Sequence, residues 1–256
     1  MNHSRNLLLG SVLLDPGRWS KGRVPQIVAG DWNDRIRKAG FSGWELWEPH
    51  DPLFLDDDRL PAPQPVDVYN TYVLPGEADL KSLQALANRV YASKARGVKF
   101  NVGNGPTSAE AALPALEFLL EVCPNVEFWC ECHPRTALEK PENAARWISG
   151  LSQRIGIVLH PFDISCNAVE MWTRLVGDRI RHLHFQVKGK DNRFANLATR
   201  ESLVRDRLLE LDDFDFIGSA SLEFTRGVGG GAGDEPEALF ASAVEDLRFL
   251  KSLGWA

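Results

Sequence analysis

Apolar and polar positions along this chain alternate between two periods. Short runs rich in β-branched, aromatic or leucine residues recur at Leu7–Leu14, Gly43–Glu48, Val66–Val73, Val98–Val102, Val126–His133, Ile155–His160, Arg179–Phe185 and Ser219–Phe224. Each reads as a buried strand. Between them the period lengthens to that of a helix. Leu80, Leu83, Leu86, Ala87, Val90 and Tyr91 share one helical face. Other helices are expected over Val24–Ala39, from Ser108 to about Val122, over Glu142–Leu151, after Asn167 and Glu170, and over Thr199–Leu211. Asp234, Pro236 and Glu237 open a last helix that stops at Gly254. Eight strands, nearly all followed by a helix, within 256 residues predict a parallel sheet. That count and length fit a single (β/α)8 TIM barrel domain over residues 1–256. A doubly wound open sheet is the structural alternative, weakened because no GxGxxG follows the first strand.

Composition narrows the partners. A formal charge of −6 argues against a protein that tracks a nucleic-acid backbone. No apolar run approaches a membrane span, and the start, MNHSRNLLLGSVLLDPGRW, makes a poor signal peptide. The expectation is a cytoplasmic protein acting on a small molecule, with neither nucleic acid nor membrane as partner; a homo-oligomer is compatible with the sequence. Cys123, Cys130, Cys132 and Cys166 read as buried thiols, and Cys130-x-Cys132 lacks zinc-ribbon spacing.

The chemistry is concentrated at strand ends. Val126–His133, VEFWCECH, stops at Pro134, so Glu131 and His133 sit at its C-terminal end. The sixth strand ends in His160, with Asp163 just beyond, the seventh carries His182 and His184, and the eighth ends in Glu223. In a barrel these ends face the active site. Glu131, His160, His184 and Glu223 then converge from adjacent strands, as N/O ligands suited to one divalent cation. Ser219, Ser221, Gly156 and Val158 point inward below them. Lys99 and Asn101 alternate with Phe100 and Val102, which turns both into the barrel. Asn101 is the expected substrate contact, and a buried Lys99 needs a partner. Glu45 could be that partner or reach the pocket. Trp44, Trp47 and Trp129 fit either core packing or stacking on a ring.

The order of these ends resembles the xylose isomerase-like superfamily of sugar isomerases, epimerases and related apurinic endonucleases. That group shows a Glu on strand five, L-D-x-x-H on strand six, a His on strand seven and a Glu on strand eight. GFSGWELWE (Gly40–Glu48) resembles its second-strand pattern, and Glu131–Pro134 looks like its Glu-x-His variant. Strand six departs from the pattern: Leu159-His160-Pro161-Phe162-Asp163 exchanges Asp and His, so His160 takes the Asp slot and Asp163 the His slot. Trp129 stands where the group has a small residue.

The resemblance implies a metal-dependent isomerase or epimerase of a keto sugar or related hydroxy-carbonyl compound. Glu131 and Glu223 would exchange a proton with the substrate, while Glu131, His160, His184 and Glu223 hold the metal. Two imidazoles in the set favour Mn, Zn, Co or Fe over Mg. Asn101, His133, Asp163, His182, Lys188 and Arg226 are the expected substrate-binding residues, the last two with the glycine-rich loop Thr225–Asp234 as an anion corner. Three other classes stay open: a metal-dependent dehydratase or lyase, a zinc phosphodiesterase of the apurinic endonuclease type, and a non-catalytic sugar-binding barrel.

Overall fold

The computed structural model describes residues 5–105, 107–163, 168–229 and 235–255. Eight parallel strands close into a barrel: β1 (Leu7–Gly10), β2 (Trp44–Trp47), β3 (Val66–Asn70), β4 (Gly97–Phe100), β5 (Glu127–Cys132), β6 (Ile155–Leu159), β7 (Ile180–Phe185) and, last round the ring, β10 (Ser219–Leu222). Two short strands, β8 (Val187–Lys188) and β9 (Phe194–Ala195), form a separate antiparallel hairpin after β7. The helices are α1 (Ser11–Leu14), α2 (Asn33–Ala39), α3 (Leu80–Ser93), α4 (Ser108–Ala111), α5 (Leu113–Val122), α6 (Pro141–Ile148), α7 (Ala168–Val176), α8 (Glu201–Asp213) and α9 (Pro236–Ser252). The (β/α)8 expectation holds.

Boundaries shift where local chemistry intervenes. The first apolar run is strand only to Gly10; Ser11–Leu14 turns helical, and buried Arg18 donates to the carbonyls of Val12 and Leu13 at 2.8 and 2.7 Å. The helix expected from Val24 begins at Asn33, after a 3₁₀ turn over Ala29–Trp32. The helix expected from Ser108 is broken at Ala112, ahead of Pro114, because proline fits a first turn and not a helix interior. The last helix ends at Ser252, and Gly254 follows at φ 74°. Cys123, Cys130 and Cys132 are buried free thiols; Cys166, Asn167 and Asp234 lie outside the described residues. No helix among the described residues is long and apolar enough to cross a membrane.

The main core lies between the strands' outer faces and the helices. A second, small cluster fills the barrel itself: Leu8, Val68, Trp129 and Val158. Trp129 is its bulk. A Cβ built on Gly97 would come 2.3 Å from the indole, and one on Gly156 would come 2.9 Å from it. The two glycines, on the strands flanking β5, are the space that the tryptophan occupies. Trp129 is therefore a plug of the lower barrel, completely buried, rather than a surface for a sugar ring. Trp44 and Trp47 are likewise fully buried.

Trp129→Ala should cost about 3–5 kcal/mol of stability, as large-to-small changes in cores do. Gly97→Ala alone should cost about 1–3 kcal/mol by overpacking. Urea denaturation should show the second change costing much less in the Trp129→Ala background. Simple additivity of the two would mean that they do not share one space.

Candidate metal centre and active-site cavity

Above the plug the inward positions become polar. Alternation along β7 places His182 and His184 inside, one layer apart, beside Ser219 and Ser221 of β10. Both imidazoles are fully buried. His182 is surrounded: Nδ1 meets Ser219 Oγ at 2.7 Å, Nε2 meets Ser221 Oγ at 2.9 Å and Glu45 Oε2 at 3.0 Å, and its ring stacks on Trp129. Glu45 comes up from β2. Its Oε1 accepts from Asn70 Nδ2 at 2.7 Å, and its Oε2 also faces His184 Nε2 at 3.0 Å. Burial alone would make Glu45 a weaker acid, but His184 and His182 beside it hold its pKa well below the usual carboxylate range.

With Nε2 directed at Glu45, His184 presents Nδ1 upward. That atom is buried and has no hydrogen-bond partner. It lies 3.4 Å from Glu131 Oε1 and 3.4 Å from Glu223 Oε2. Burial works against charge on this ring, yet Glu45 and Glu223 raise its pKa well above that of a free imidazole.

Glu131 has its two oxygens divided. Oε2 takes Lys99 Nζ at 2.5 Å and Asn101 Nδ2 at 2.9 Å. Oε1 faces His160 Nε2 at 2.8 Å. Burial would raise its pKa, but Lys99 and the two histidines hold it well below the ordinary range. Lys99 is fully enclosed; burial opposes its charge, and Glu131 outweighs that, so its pKa rises above that of an ordinary lysine. Gln186, one alternation beyond His184, places Nε2 3.1 Å from His160 Nδ1 and 2.9 Å from Asp163 Oδ2.

Glu131, His160, His184 and Glu223 thus offer ligand atoms within 4.8 Å of one another, all buried. The set fits a divalent cation on two counts. His184 Nδ1 is an unpartnered donor atom aimed into it, with Glu45 orienting the far side of the ring as carboxylates orient ligating histidines. The buried carboxylates Glu45, Glu131 and Glu223 face a single buried lysine, leaving two negative charges that one divalent ion would balance.

Over this cluster opens a cavity of about 660 Å³, lined by Lys99, Asn101, Glu131, His133, His160, Asp163, Gln186, Lys188 and Glu223 among others. His133 Nδ1 donates to Pro134 O at 2.8 Å, which leaves Nε2 facing Glu131 at 3.9 Å. Burial lowers its pKa.

Most of the expected site residues meet here, with three corrections. His182, expected to touch substrate, lies beneath His184 and is sealed from the cavity. Arg226 is exposed, pairs with Glu245 at 3.2 Å and does not line the cavity. Asp163, expected as a substrate contact, does line the cavity; it stands 3.9 Å from His160, held by Gln186. Lys99 pairs with Glu131 and not with Glu45. Gln186, Trp19, Arg23 and Arg135 also line the cavity without having stood out in sequence. Gln186 was within reach of the alternation His182-x-His184-x-Gln186; the others come from loops, where no period applies.

The fold and the site define a (β/α)8 barrel with a buried imidazole–carboxylate cluster at its C-terminal mouth. No protein-family model and no curated protein matches the chain. Solved structures do. The IolI protein with a bound zinc atom aligns at TM-score 0.65 and 15% identity, over 97% of this chain and 96% of that one. A xylose isomerase-like TIM barrel/4-hydroxyphenylpyruvate dioxygenase fusion protein aligns at TM-score 0.66 and 12% identity, over 98% of this chain and 43% of that one. A Rhodospirillum rubrum protein named for xylose isomerase aligns at TM-score 0.66 and 12% identity, over 95% and 98%. The chain shares the (β/α)8 barrel fold of these proteins. At these identities the likeness establishes the fold, and the reaction has to be argued from the site.

Because Glu45 and Glu223 raise the His184 pKa, a proton competes with metal for Nδ1. Calorimetry in buffers of different ionisation enthalpy should show about one proton released per zinc at pH 7. Affinity should fall about tenfold per unit as pH drops below the raised pKa. The Glu45→Gln protein, lacking the main charge that raises this pKa, should release fewer protons. Zinc binding without proton release would remove His184 from the ligand set.

Proposed function

We propose that this protein is a metal-dependent isomerase or epimerase of a small hydroxy-carbonyl compound, working by proton transfer at the carbon next to the carbonyl. The observation that carries this reading is the unpartnered Nδ1 of buried His184, set between Glu131 and Glu223, the two carboxylates that line the open cavity beside it. A bound zinc in IolI, a protein of the same fold, supports the metal. Glu131, His160, His184 and Glu223 would hold the ion, whose Lewis acidity would polarise a carbonyl oxygen and its neighbouring hydroxyl. Zn, Mn, Fe or Co suits two imidazoles and two carboxylates better than Mg.

The two glutamates take unequal shares of the work. Glu131 meets Lys99, Asn101 and His160, and its pKa is held down by them; such a carboxylate anchors well and abstracts protons poorly. The ion-pair partners of Glu223 Oε2 among the described residues are His184 at 3.4 Å and His160 at 3.9 Å, both longer than the contacts of Glu131 to Lys99 and His160. Glu223 is therefore the base that removes the proton. His133, whose Nδ1 is spent on Pro134 O, lines the cavity and is better placed than Glu131 to exchange the second proton. Lys99, charged and enclosed, donates toward an oxygen that gains negative charge. A dehydratase or lyase begins with the same abstraction, so the product decides between the two.

Glu223→Gln should lower turnover on the order of 10²–10⁴-fold while leaving zinc-free thermal stability within a few degrees. Glu223→Gln and Glu131→Gln should both bind zinc more weakly, since each removes a carboxylate of the ligand set, so turnover is compared at saturating metal. A panel of aldoses and ketoses, followed by NMR in D₂O, should show deuterium entering the product at the carbon next to the carbonyl. Turnover without solvent exchange in any substrate, or full activity of Glu223→Gln, would overturn the mechanism.

A further inference from the structure

The rim of the cavity carries more chemistry than a neutral sugar needs. One wall is aromatic and is assembled from separate loops. Trp19 comes from the loop after β1, Phe194 from β9, and Phe224 from the residues after β10. Trp19 lies 6.4 Å from Phe194 and 5.8 Å from Phe224, and those two are 4.8 Å apart, centroid to centroid. Trp19 is 58% exposed, so its ring is presented to the opening. It is held there from behind: a Cβ on Gly229, which sits at φ 73°, would come 2.7 Å from the indole. Its loop is pinned by Asp15, whose carboxylate accepts from Gly17 N at 2.6 Å and Gln26 N at 2.9 Å and meets buried His50 at 2.7 Å.

The remaining rim is cationic. Arg23, Arg135 and Lys188 line the cavity and have no carboxylate partner for their charged groups among the described residues, in a chain whose formal charge is −6. Arg23 and Arg135 are also held at φ 50° and 73°, a left-handed backbone that is unfavourable for residues other than glycine and tends to occur at functional sites. The Arg23 guanidinium lies 3.5 Å from the centroid of Tyr72, a contact that orders it without neutralising it. Lys188 sits over Phe194 at 5.6 Å, joining the cationic rim to the aromatic wall. Cavity-lining cations number four against three carboxylates, and a divalent ion on the floor would add to the excess.

We infer that the ligand of this cavity is an acid: a hydroxy-carbonyl compound whose anionic group meets Arg23, Arg135 and Lys188 while its carbon skeleton lies against Trp19, Phe194 and Phe224. This rests on the proposed chemistry for the type of skeleton, and on the rim alone for the charge. The anionic group is a carboxylate or a phosphate, since both are bound by the same donors.

The test is equilibrium binding by calorimetry to the zinc-loaded protein, with D-fructose, D-glucuronate and D-fructose 6-phosphate as probes. At least one acid should bind ten times or more tighter than fructose, and its affinity should fall as salt rises. Which acid wins separates carboxylate from phosphate. Arg23→Gln and Lys188→Gln should each weaken that acid several-fold and leave fructose unchanged, whereas Trp19→Ala should weaken all probes alike. Failure of both acids to bind, equal affinity for fructose, or acid affinity unchanged in the Arg23 and Lys188 variants overturns the inference. Because these titrations read binding and not turnover, a protein that binds the acid without exchanging protons refutes the proposed reaction and leaves the inference standing.

Discussion

The site depends on a buried charge that has to be satisfied. Glu45 is enclosed in the middle of the barrel, where an unpaired carboxylate is too costly to keep. It is satisfied by Asn70, His182 and His184. That solution fixes more than Glu45. It commits Nε2 of His184 downward and thereby sets Nδ1 upward, bare, between Glu131 and Glu223. His182, sharing the same carboxylate and the serines of β10, holds the position sideways. The orientation of the His184 imidazole is thus set from below, by residues that do not line the cavity.

The barrel interior divides into layers with different duties. At the bottom, Trp129 occupies the room left by Gly97 and Gly156, and Leu8, Val68 and Val158 complete a dry plug. The indole face supports His182 at 5.7 Å. Above it comes the hydrogen-bonded layer of Glu45 and His182, then the ligand cluster, then the open mouth. Bulk low in the barrel is what keeps the polar layer from collapsing inward, so the unusual tryptophan is part of the support and not part of the recognition surface.

Periodicity made the eight strands and the direction of their side chains legible, and hence the convergence of Glu131, His160, His184 and Glu223, because alternation is a rule of the backbone. It also turned Lys99 and Asn101 inward. What it lacked was distance. Lys99 could be given a partner only by three-dimensional neighbourhood: β4 pairs with β5 and lies remote from β2 across β3, so Glu131 and not Glu45 receives it. His182 and His184 look equivalent in sequence; the layer each occupies separates a sealed support from a candidate ligand. Arg226 and the glycine-rich run looked like an anion corner by composition. The described part of that loop turns Arg226 outward to Glu245, while Gly230 to Asp234 lie outside the described residues. Of the cations that do line the opening, Lys188 stood out at the strand-seven exit, whereas Arg23 and Arg135 sit in loops where neither period nor motif marks them.

The exchange on strand six follows from the same layering. His160 lies at cluster depth, beside Glu131, whereas Asp163 stands further out, a quarter exposed and tied to Gln186. A carboxylate moved outward and an imidazole moved inward lower the negative charge around the ligand cluster by one. Lys99 lowers it again by taking one oxygen of Glu131. Together these leave a donor set whose formal charge, counted with Glu45, one divalent ion neutralises. A cluster balanced in this way gains little by drawing further charge from a ligand, so selectivity for an acid belongs at the rim, where Arg23, Arg135 and Lys188 stand unpaired among the described residues. The floor would then act on a carbonyl and its neighbouring hydroxyl, whatever the compound, and the loops would choose which compound reaches it.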